Sequence, residues 1–390
     1  MLRALTLRDF RGYVSLDATF GPGPQLIVGP NAAGKTSLLE ALVVLAWGRS
    51  HRTTADAELI RWGADVGRIE GRAGADGVED ADVIEVGLVR SASAGRKRIR
   101  VNGLARRASG LSSSFRTVLF APEEMLLVVG SPGLRRATVD QLAGQRFPAY
   151  GAQLGTYGRA LQQRNSLLRA IREEEADRAQ LRYWDEPLLD AGAAVVADRL
   201  RVLDELAEPI AAAHAEIAPD EAARSRLLVR YATNAPAGPG ESTRAALARR
   251  LAETADKEVW NGATLVGPHR DDLVFEIDGR DLAAFASRGQ QRTAILALKL
   301  AELDLLTALD GRPPLLLLDD VFSELDPDRR AHLVRRIAAL PQALITTTTL
   351  DDLDPRLVEI ATTWEVVAAE AGARLSPVGG VGPVGVGADR

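Results

Sequence analysis

A glycine-rich loop carries the residues of this sequence that are best suited to phosphate chemistry. It follows the pattern GxxxxGK[ST] between the apolar segment 25–28 and a predicted helix. In such a loop, backbone N–H groups point at the β- and γ-phosphates, the lysine adds positive charge, and the threonine hydroxyl binds Mg²⁺. The predicted nucleotide-binding residues are Gly29, Pro30, Asn31, Ala32, Ala33, Gly34, Lys35, Thr36 and Ser37. We therefore predict a site for a nucleoside triphosphate and Mg²⁺.

An acidic pair follows a segment of four leucines. Segment 315–318 is typical of a strand buried on both faces, and Asp319 and Asp320 come directly after it. At the carboxyl end of such a strand, Asp319 would hold Mg²⁺ together with Thr36, and Asp320 would orient or deprotonate the attacking water. We predict Lys35 and Asp320 as catalytic residues. An acidic turn after a core strand is the alternative interpretation.

A third segment predicts a helix terminus that can bind an anion. Its residues are Ser287, Arg288, Gly289 and Gln290, and they begin a predicted amphipathic helix. The serine and the first N–H groups of such a helix favour a phosphate. A second phosphate-seeking terminus in one chain suggests a dimer in which each subunit closes over the nucleotide of the other. A simple capped helix start is the alternative.

Composition excludes several kinds of site. The 390 residues contain no cysteine, which rules out disulfides, thiolate metal sites and cysteine nucleophiles. No apolar segment is long enough to span a membrane, and the charged N-terminal segment lacks the core of a signal peptide, so we expect a cytoplasmic protein with no membrane contact. The net charge of −5 argues against nucleic-acid binding through overall charge, although a local basic face can still bind phosphate.

Changes in composition along the chain predict an interrupted domain. Residues 1–125 show strand patterns with one helix, and residues 126–260 have apolar residues at helical spacing. Strand patterns return in residues 261–376, which contain the predicted helix terminus and the acidic pair. We expect 1–125 and 261–376 to form one α/β lobe with a helical lobe inserted, and 377–390 to be a disordered tail.

These motifs, in this order, resemble those of ABC-type ATPase heads, and five longer segments resemble the RecF family of bacterial recombination mediators. The five segments are 120–128, 135–140, 264–272, 287–292 and 315–326. The resemblance covers residues 1–350. It implies an ABC/SMC-type P-loop ATPase head, like that of Rad50, with an inserted helical lobe. It also implies an ATP-driven dimer with slow hydrolysis that binds gapped DNA and acts with RecO and RecR in recombinational repair and replication-fork maintenance.

The resemblance assigns roles to the motifs. The Walker A role falls on residues 29–36, the Walker B role on Asp319 and Asp320, and the signature role, used in trans, on residues 287–290. Residues 323–326, with Ser323, Glu324 and Asp326, take the D-loop role.

Three features depart from the general ABC pattern. Asp320 stands where most such ATPases have glutamate, and its shorter reach agrees with slow hydrolysis. No glutamine marks a Q-loop, for which Pro122 and Glu123 are the candidates. Residues 346–349, all threonine, occupy the region of the transporter switch histidine.

Several assignments stay open at the level of sequence. Residues 267–272, Gly-Pro-His-Arg-Asp-Asp, form either a turn with internal ion pairs or a sensing element, and Arg52 is a candidate neighbour of the adenine. DNA contacts are predicted among arginines such as Arg135 and Arg136 and in a basic hairpin with Lys97 and Arg98. The alternative functions are an ATPase subunit of a transporter and an SMC-like structural protein.

Overall fold

The computed structural model describes residues 1–74, 81–90, 96–351, 353–369 and 372–378, in which strands predominate before residue 121 and long helices follow. In chain order they are β1 (Leu2–Phe10), β2 (Tyr13–Thr19), β3 (Gly23–Val28), α1 (Lys35–Trp47), β4 (Val66–Ala73), β5 (Asp82–Val89), β6 (Arg96–Val101), β7 (Leu104–Arg106), β8 (Thr117–Phe120), α2 (Pro132–Arg146), α3 (Tyr150–Arg172), α4 (Leu181–Ile217), α5 (Pro219–Ala222), β9 (Leu227–Ala232), α6 (Thr243–Asn261), β10 (Asp272–Ile277), β11 (Arg280–Asp281), α7 (Leu282–Phe285), α8 (Arg288–Ala308), β12 (Leu315–Asp319), α9 (Pro327–Ala338), β13 (Gln342–Thr347), α10 (Pro355–Ile360), β14 (Thr362–Val367) and β15 (Arg374–Pro377).

The chain divides into two units, and the boundary differs from the predicted one. The first unit comprises the described residues of Met1–Glu123 and Leu306–Arg390, and the second unit is Glu124–Leu305. Residues 261–305, which we expected in the nucleotide-binding lobe, therefore belong to the helical unit. The physical reason is strand pairing, since β10 pairs antiparallel with β9 inside the second unit.

One sheet of the first unit is built from buried parallel strands. Its order is β15-β14-β3-β13-β12-β8, and all of its pairs are parallel except β14 with β15. Every residue of β12 and β13 is buried. The carboxyl ends of β3 and β12 therefore lie at the same edge of the sheet, with β13 between them.

The other sheet of the first unit is antiparallel and has one exposed face. Its order is β2-β1-β4-β5-β6-β7. Buried and exposed residues alternate along β4 and β5, as expected when one sheet face packs on a core. Helix α1 is buried almost all round, from Leu38 to Ala46, because it packs against strands of both sheets.

The second unit is mainly helical. Helices α3, α4 and α6 pack together, and a small sheet of order β11-β10-β9 completes the unit. Among the described residues, no helix is both long and apolar enough to cross a membrane.

Pro377, which we expected in the disordered tail, ends β15, and residues 379–390 of that predicted tail lie outside the described residues.

Candidate nucleotide-binding site

The glycine loop lies between β3 and α1, as its sequence predicts. Gly29 donates its N–H to Thr347 O at 3.3 Å, and a Cβ at this position would lie only 2.3 Å from Val366 O. Gly34 has φ of 117°, a conformation that L side chains rarely adopt, and it caps the N-terminus of α1. Both glycines are therefore required by the local geometry.

Lys35 is held inside the loop by backbone groups alone. Its Nζ donates to Gly29 O at 2.6 Å and to Pro30 O at 3.0 Å, and only 7% of the residue is exposed. Burial lowers the pKa of Lys35, while the charges of Asp320 and Asp319 act in the opposite direction. Lys35 has no ion pair with any residue that the structure describes. An incoming phosphate would supply the missing negative charge.

Thr346 fixes the position of the acidic pair. Its Oγ1 donates to Asp319 Oδ1 at 2.6 Å and accepts the N–H of Asp320 at 3.1 Å. Asp320 has φ of 52°, so the chain turns sharply after the last residue of β12. From the sequence, Thr346 was expected only to lie in the region of the transporter switch histidine, and this contact between neighbouring strands was not predicted.

The oxygen donors at this edge fit Mg²⁺. Thr36 lies half-buried in the first turn of α1, and Asp319 ends β12. Among the described residues, no cluster of three or more His, Asp or Glu side chains could hold a metal. Mg²⁺ commonly binds through one or two protein groups together with substrate phosphates, and Thr36 and Asp319 match that pattern.

A buried glutamate organises the other side of the loop. Glu40 is fully buried in α1 and accepts Arg11 Nη2 at 2.6 Å and Ser50 Oγ at 2.5 Å. Arg52 Nη1 approaches the same carboxylate at 3.4 Å. Although burial opposes ionisation, the bonds from Arg11 and Ser50 lower the pKa of Glu40. Glu40 is the only charged residue in the apolar segment 38–46 of α1. Because a buried carboxylate needs a cation nearby, this position in the sequence could have predicted the arginine contacts.

An open groove of about 730 Å³ extends from the loop to an exposed tryptophan. Its lining includes Gly34, Ser37, Arg11, Arg52 and Trp62. Trp62 is 92% exposed, which is unusual for a large aromatic residue. The predicted neighbour of the adenine, Arg52, thus lies beside a groove that has room and an aromatic face for a base. Trp62 was not predicted from the sequence.

The residues in the D-loop position stabilise their own segment. Ser323 Oγ donates to Asp320 O at 2.9 Å. Asp326 caps α9 by accepting the N–H of Arg329 at 3.0 Å, and it also forms an ion pair with that arginine. Glu324 ends the short 3-10 helix between them.

The predicted signature residues belong to the second unit, and the P-loop, residues 29–37, belongs to the first. Ser287 and Gln290 form a reciprocal capping box at the start of α8: Ser287 Oγ accepts the N–H of Gln290 at 3.2 Å, and Gln290 Oε1 accepts the N–H of Ser287 at 3.0 Å. Ser287 and Arg288 are exposed, and Gly289 is half-buried. The helix start is capped, as the alternative interpretation required, and it is also accessible.

The candidate Q-loop segment follows β8, the strand beside β12. Residues Pro122–Leu126 form a 3-10 helix, in which Glu123 is the last residue of the first unit. In the region of the transporter switch histidine, residues 346–349, Thr347 Oγ1 donates to Thr349 O at 2.7 Å.

Residues 267–272 are fixed mainly by contacts with residues outside the segment. The ring nitrogens of His269 lie 2.5 Å from Tyr157 Oη and 3.1 Å from Thr264 O, and burial lowers the pKa of His269 to about 4. Arg199, which is almost fully buried, donates to Pro268 O at 2.7 Å. The expected internal ion pairs are not among the described contacts, because Asp272 pairs with Arg135 of α2 and Arg270 donates to Thr264 O.

Two of the predicted DNA contacts also have structural partners. Arg135 forms two hydrogen bonds of 2.8 Å with the carboxylate of Asp272, and only 11% of its side chain is exposed. Arg136 donates to Asp271 O at 2.7 Å. Arg135 is therefore a poor candidate for a DNA contact, because binding a phosphate would break this ion pair.

Comparison with known proteins agrees with this architecture. Residues 1–362 match the family described as the RecF/RecN/SMC N terminal domain. The DNA replication and repair protein RecF of Heliobacterium modesticaldum is 38% identical over 373 residues, which cover 95% of this chain and 98% of the relative. RecF of Symbiobacterium thermophilum is 41% identical, over 90% of this chain and 92% of the relative. The chain belongs to the RecF family.

Solved structures confirm the predicted α/β ABC-type head. The recombination mediator protein RecF-ATPrS in the RecFOR pathway superposes with a TM-score of 0.84 at 30% identity, over 97% of this chain and 98% of that one. The Smc head bound to the C-winged helix domain of ScpA, at 13% identity and a TM-score of 0.53 over 97% and 98% of the two chains, shares the fold alone.

Proposed function

We propose that this RecF family member is an ATPase that dimerises on binding ATP and then holds DNA at single-strand/double-strand junctions for recombinational repair. The observation that carries the proposal is the edge of the parallel sheet, where the P-loop and the Thr346-bound acidic pair face the same ligand position. A solved RecF relative that is named with ATP supports ATP as the nucleotide. The same relative belongs to the RecFOR pathway, which supports RecO and RecR as partners.

The residues divide the proposed reaction among them. The P-loop N–H groups and Lys35 bind the β- and γ-phosphates, and Trp62 and Arg52 flank the base. Thr36 and Asp319 would hold Mg²⁺, which would neutralise charge on the transferred phosphoryl group. Asp320 orients the attacking water. Aspartate reaches less far than the usual glutamate, which agrees with slow turnover.

The proposed dimer is supported by the start of α8. Ser287 and Arg288 are exposed there, and the first N–H groups of this helix can bind an anion. In a dimer, the nucleotide of one subunit would meet this helix terminus of the other in trans. The D-loop residues Ser323, Glu324 and Asp326 directly follow the acidic pair and would lie near the same interface.

Sedimentation and gel-shift measurements test the proposal. We expect a monomer without nucleotide, a dimer with ATP and Mg²⁺, and tighter binding of gapped duplex than of single-stranded DNA only when ATP is present. Lys35→Met serves as the control that lacks the nucleotide response. A monomer at all ATP concentrations, or equal DNA binding with and without ATP, would contradict the proposal.

A further inference from the structure

The β6–β7 hairpin, residues 96–107, concentrates positive charge on a chain with a net charge of −5. It contains no acidic residue. Five of its arginines are exposed: Arg96, Arg98, Arg100, Arg106 and Arg107. Its lysine, Lys97, points to the opposite face and pairs with Asp56 at 2.7 Å. The exposed charge is therefore carried entirely by arginine, the residue that binds phosphate in a bidentate manner.

Strand register places three of these arginines in one row. Arg96, Arg98 and Arg100 alternate with the buried Ile99 and Val101, so they share the open face of the sheet. Arg98 lies opposite Gly87 of β5, which has no side chain to cover it.

Little negative charge compensates this row. Arg100 approaches Glu85 only at 4.0 Å, and Glu85 is shared with Arg68 at 3.2 Å. Arg96 and Arg98 have no ion pair within the described part of the chain, and the same holds for Arg106 and Arg107.

Protection of a sheet edge does not account for this arrangement. Charged residues on an edge strand discourage pairing with another chain, and Arg106 on β7 can serve that purpose. Strand β6 is an inner strand, however, paired with β5 on one side and with β7 on the other. Like charges spaced along its open face repel one another and lower the stability of the sheet. A polyanion that binds there would relieve this repulsion.

We infer that the exposed face of the β6–β7 hairpin binds the phosphate backbone of DNA through Arg96, Arg98 and Arg100 along β6. The inference rests on the proposed function, because it names the surface that the DNA would occupy. Contacts of this kind position a duplex without reading its bases. Of the basic residues predicted from the sequence in this hairpin, Arg98 belongs to the surface and Lys97 does not.

A charge-matched pair of variants tests the inference. The hairpin variant carries Arg96→Gln, Arg98→Gln and Arg100→Gln. The control variant loses the same charge at exposed, ion-paired positions elsewhere, by Arg178→Gln, Arg226→Gln and Arg312→Gln. Each is titrated with a fluorescent gapped duplex in ATP and Mg²⁺ over a range of salt concentrations, and ATP binding is measured separately.

The expected result is a loss of DNA affinity of more than about tenfold in the hairpin variant. The slope of log affinity against log salt should fall by about 3, since each lost phosphate contact contributes about 0.9. The control variant should keep the wild-type slope, and all proteins should bind ATP equally. Should the triple hairpin variant fold poorly, Arg98→Gln alone must still lower the slope by about 1.

Three outcomes would overturn the inference: an unchanged slope in the hairpin variant, an equal change in the control variant, or hairpin-dependent binding of phosphatidylserine vesicles with unchanged DNA binding. Absence of DNA binding by the wild-type protein in ATP would instead contradict the proposed function, so the two failures are distinguishable.

Discussion

Two buried lysines, one in each unit, are held in opposite ways. Lys35 in the P-loop is 7% exposed and is bonded to backbone carbonyls, and its pKa is lowered by burial. Lys299 in α8 is 1% exposed, and its Nζ lies 2.6 Å from Glu124 Oε1 and 3.2 Å from Glu302 Oε2. Burial opposes its charge as well, but the two carboxylates raise its pKa.

The difference indicates that Lys35 serves ligand binding and that Lys299 stabilises the fold. The charge of Lys299 is balanced by Glu124 and Glu302 within the second unit, and its ion pair with Glu124 holds that segment against α8. The charge of Lys35 lacks a directly bonded carboxylate, and a phosphate would restore the balance. We therefore expect substitution of Lys299 to affect stability and substitution of Lys35 to affect binding.

The largest expected effect is on the stability of the second unit. At pH 8, where both Glu124 and Glu302 are ionised, Lys299→Met leaves two buried carboxylates without their cation, which should lower the free energy of unfolding by about 3–5 kcal/mol. Urea unfolding followed by helical circular dichroism measures this loss. Adding Glu124→Gln and Glu302→Gln to the same chain should restore much of the lost stability. A Lys299→Met variant as stable as wild type would contradict the stabilising role of Lys299.

Lys35→Met should fold normally and lose nucleotide binding. Each charge-assisted bond to phosphate is worth about 1.5–3 kcal/mol, so the loss of one such bond should lower ATP affinity by about 10- to 150-fold. Isothermal titration calorimetry provides the measurement, and exposed Lys257→Met is the matched control. Retained ATP affinity in Lys35→Met would show that the loop does not bind phosphate through this group.

Asp320→Asn should separate binding from hydrolysis. The amide keeps the shape of the side chain but cannot accept a proton, so kcat should fall by about 100-fold or more with unchanged ATP affinity. The ATP-bound dimer should then accumulate on DNA. Turnover near the wild-type rate would remove Asp320 from the role of positioning the water.

A smaller effect concerns pH. Burial raises the pKa of Glu302 from 4.5 to about 7, with Glu124 adding to the rise and Lys299 opposing it. Because the folded state holds this proton more tightly than the unfolded state, the stabilisation is complete below about pH 4.5 and is lost as pH rises through 7.

Comparison with Glu302→Gln isolates this titration. Relative to the variant, wild type should lose roughly 1–3 kcal/mol of unfolding free energy between pH 5 and 8. Urea unfolding at several pH values provides the test. Parallel pH profiles for the two proteins would show that Glu302 is ionised throughout.

Sequence predicted what is local and missed what is distant. The P-loop and the leucine strand with Asp319 could be read because each lies within one short segment whose pattern dictates its geometry. The contact between Thr346 and Asp319 joins two strands 27 residues apart, and the Lys299–Glu124 pair spans 175 residues. No periodicity encodes such pairs. The predicted domain boundary at residue 261 was wrong for the same reason, because β10 pairs with β9, which is distant in sequence.

The central claim, a composite ATP site shared by two subunits, is tested most directly by mixing two inactive variants. Ser287→Arg blocks the helix terminus of α8, and Lys35→Met disables the P-loop, while each leaves the other element intact. In a mixture, the P-loop of the first variant can meet the helix terminus of the second and form one complete site. We predict that ATPase activity, absent from each variant alone, returns in part on mixing. No recovery at any ratio, with both variants folded, would contradict the trans arrangement.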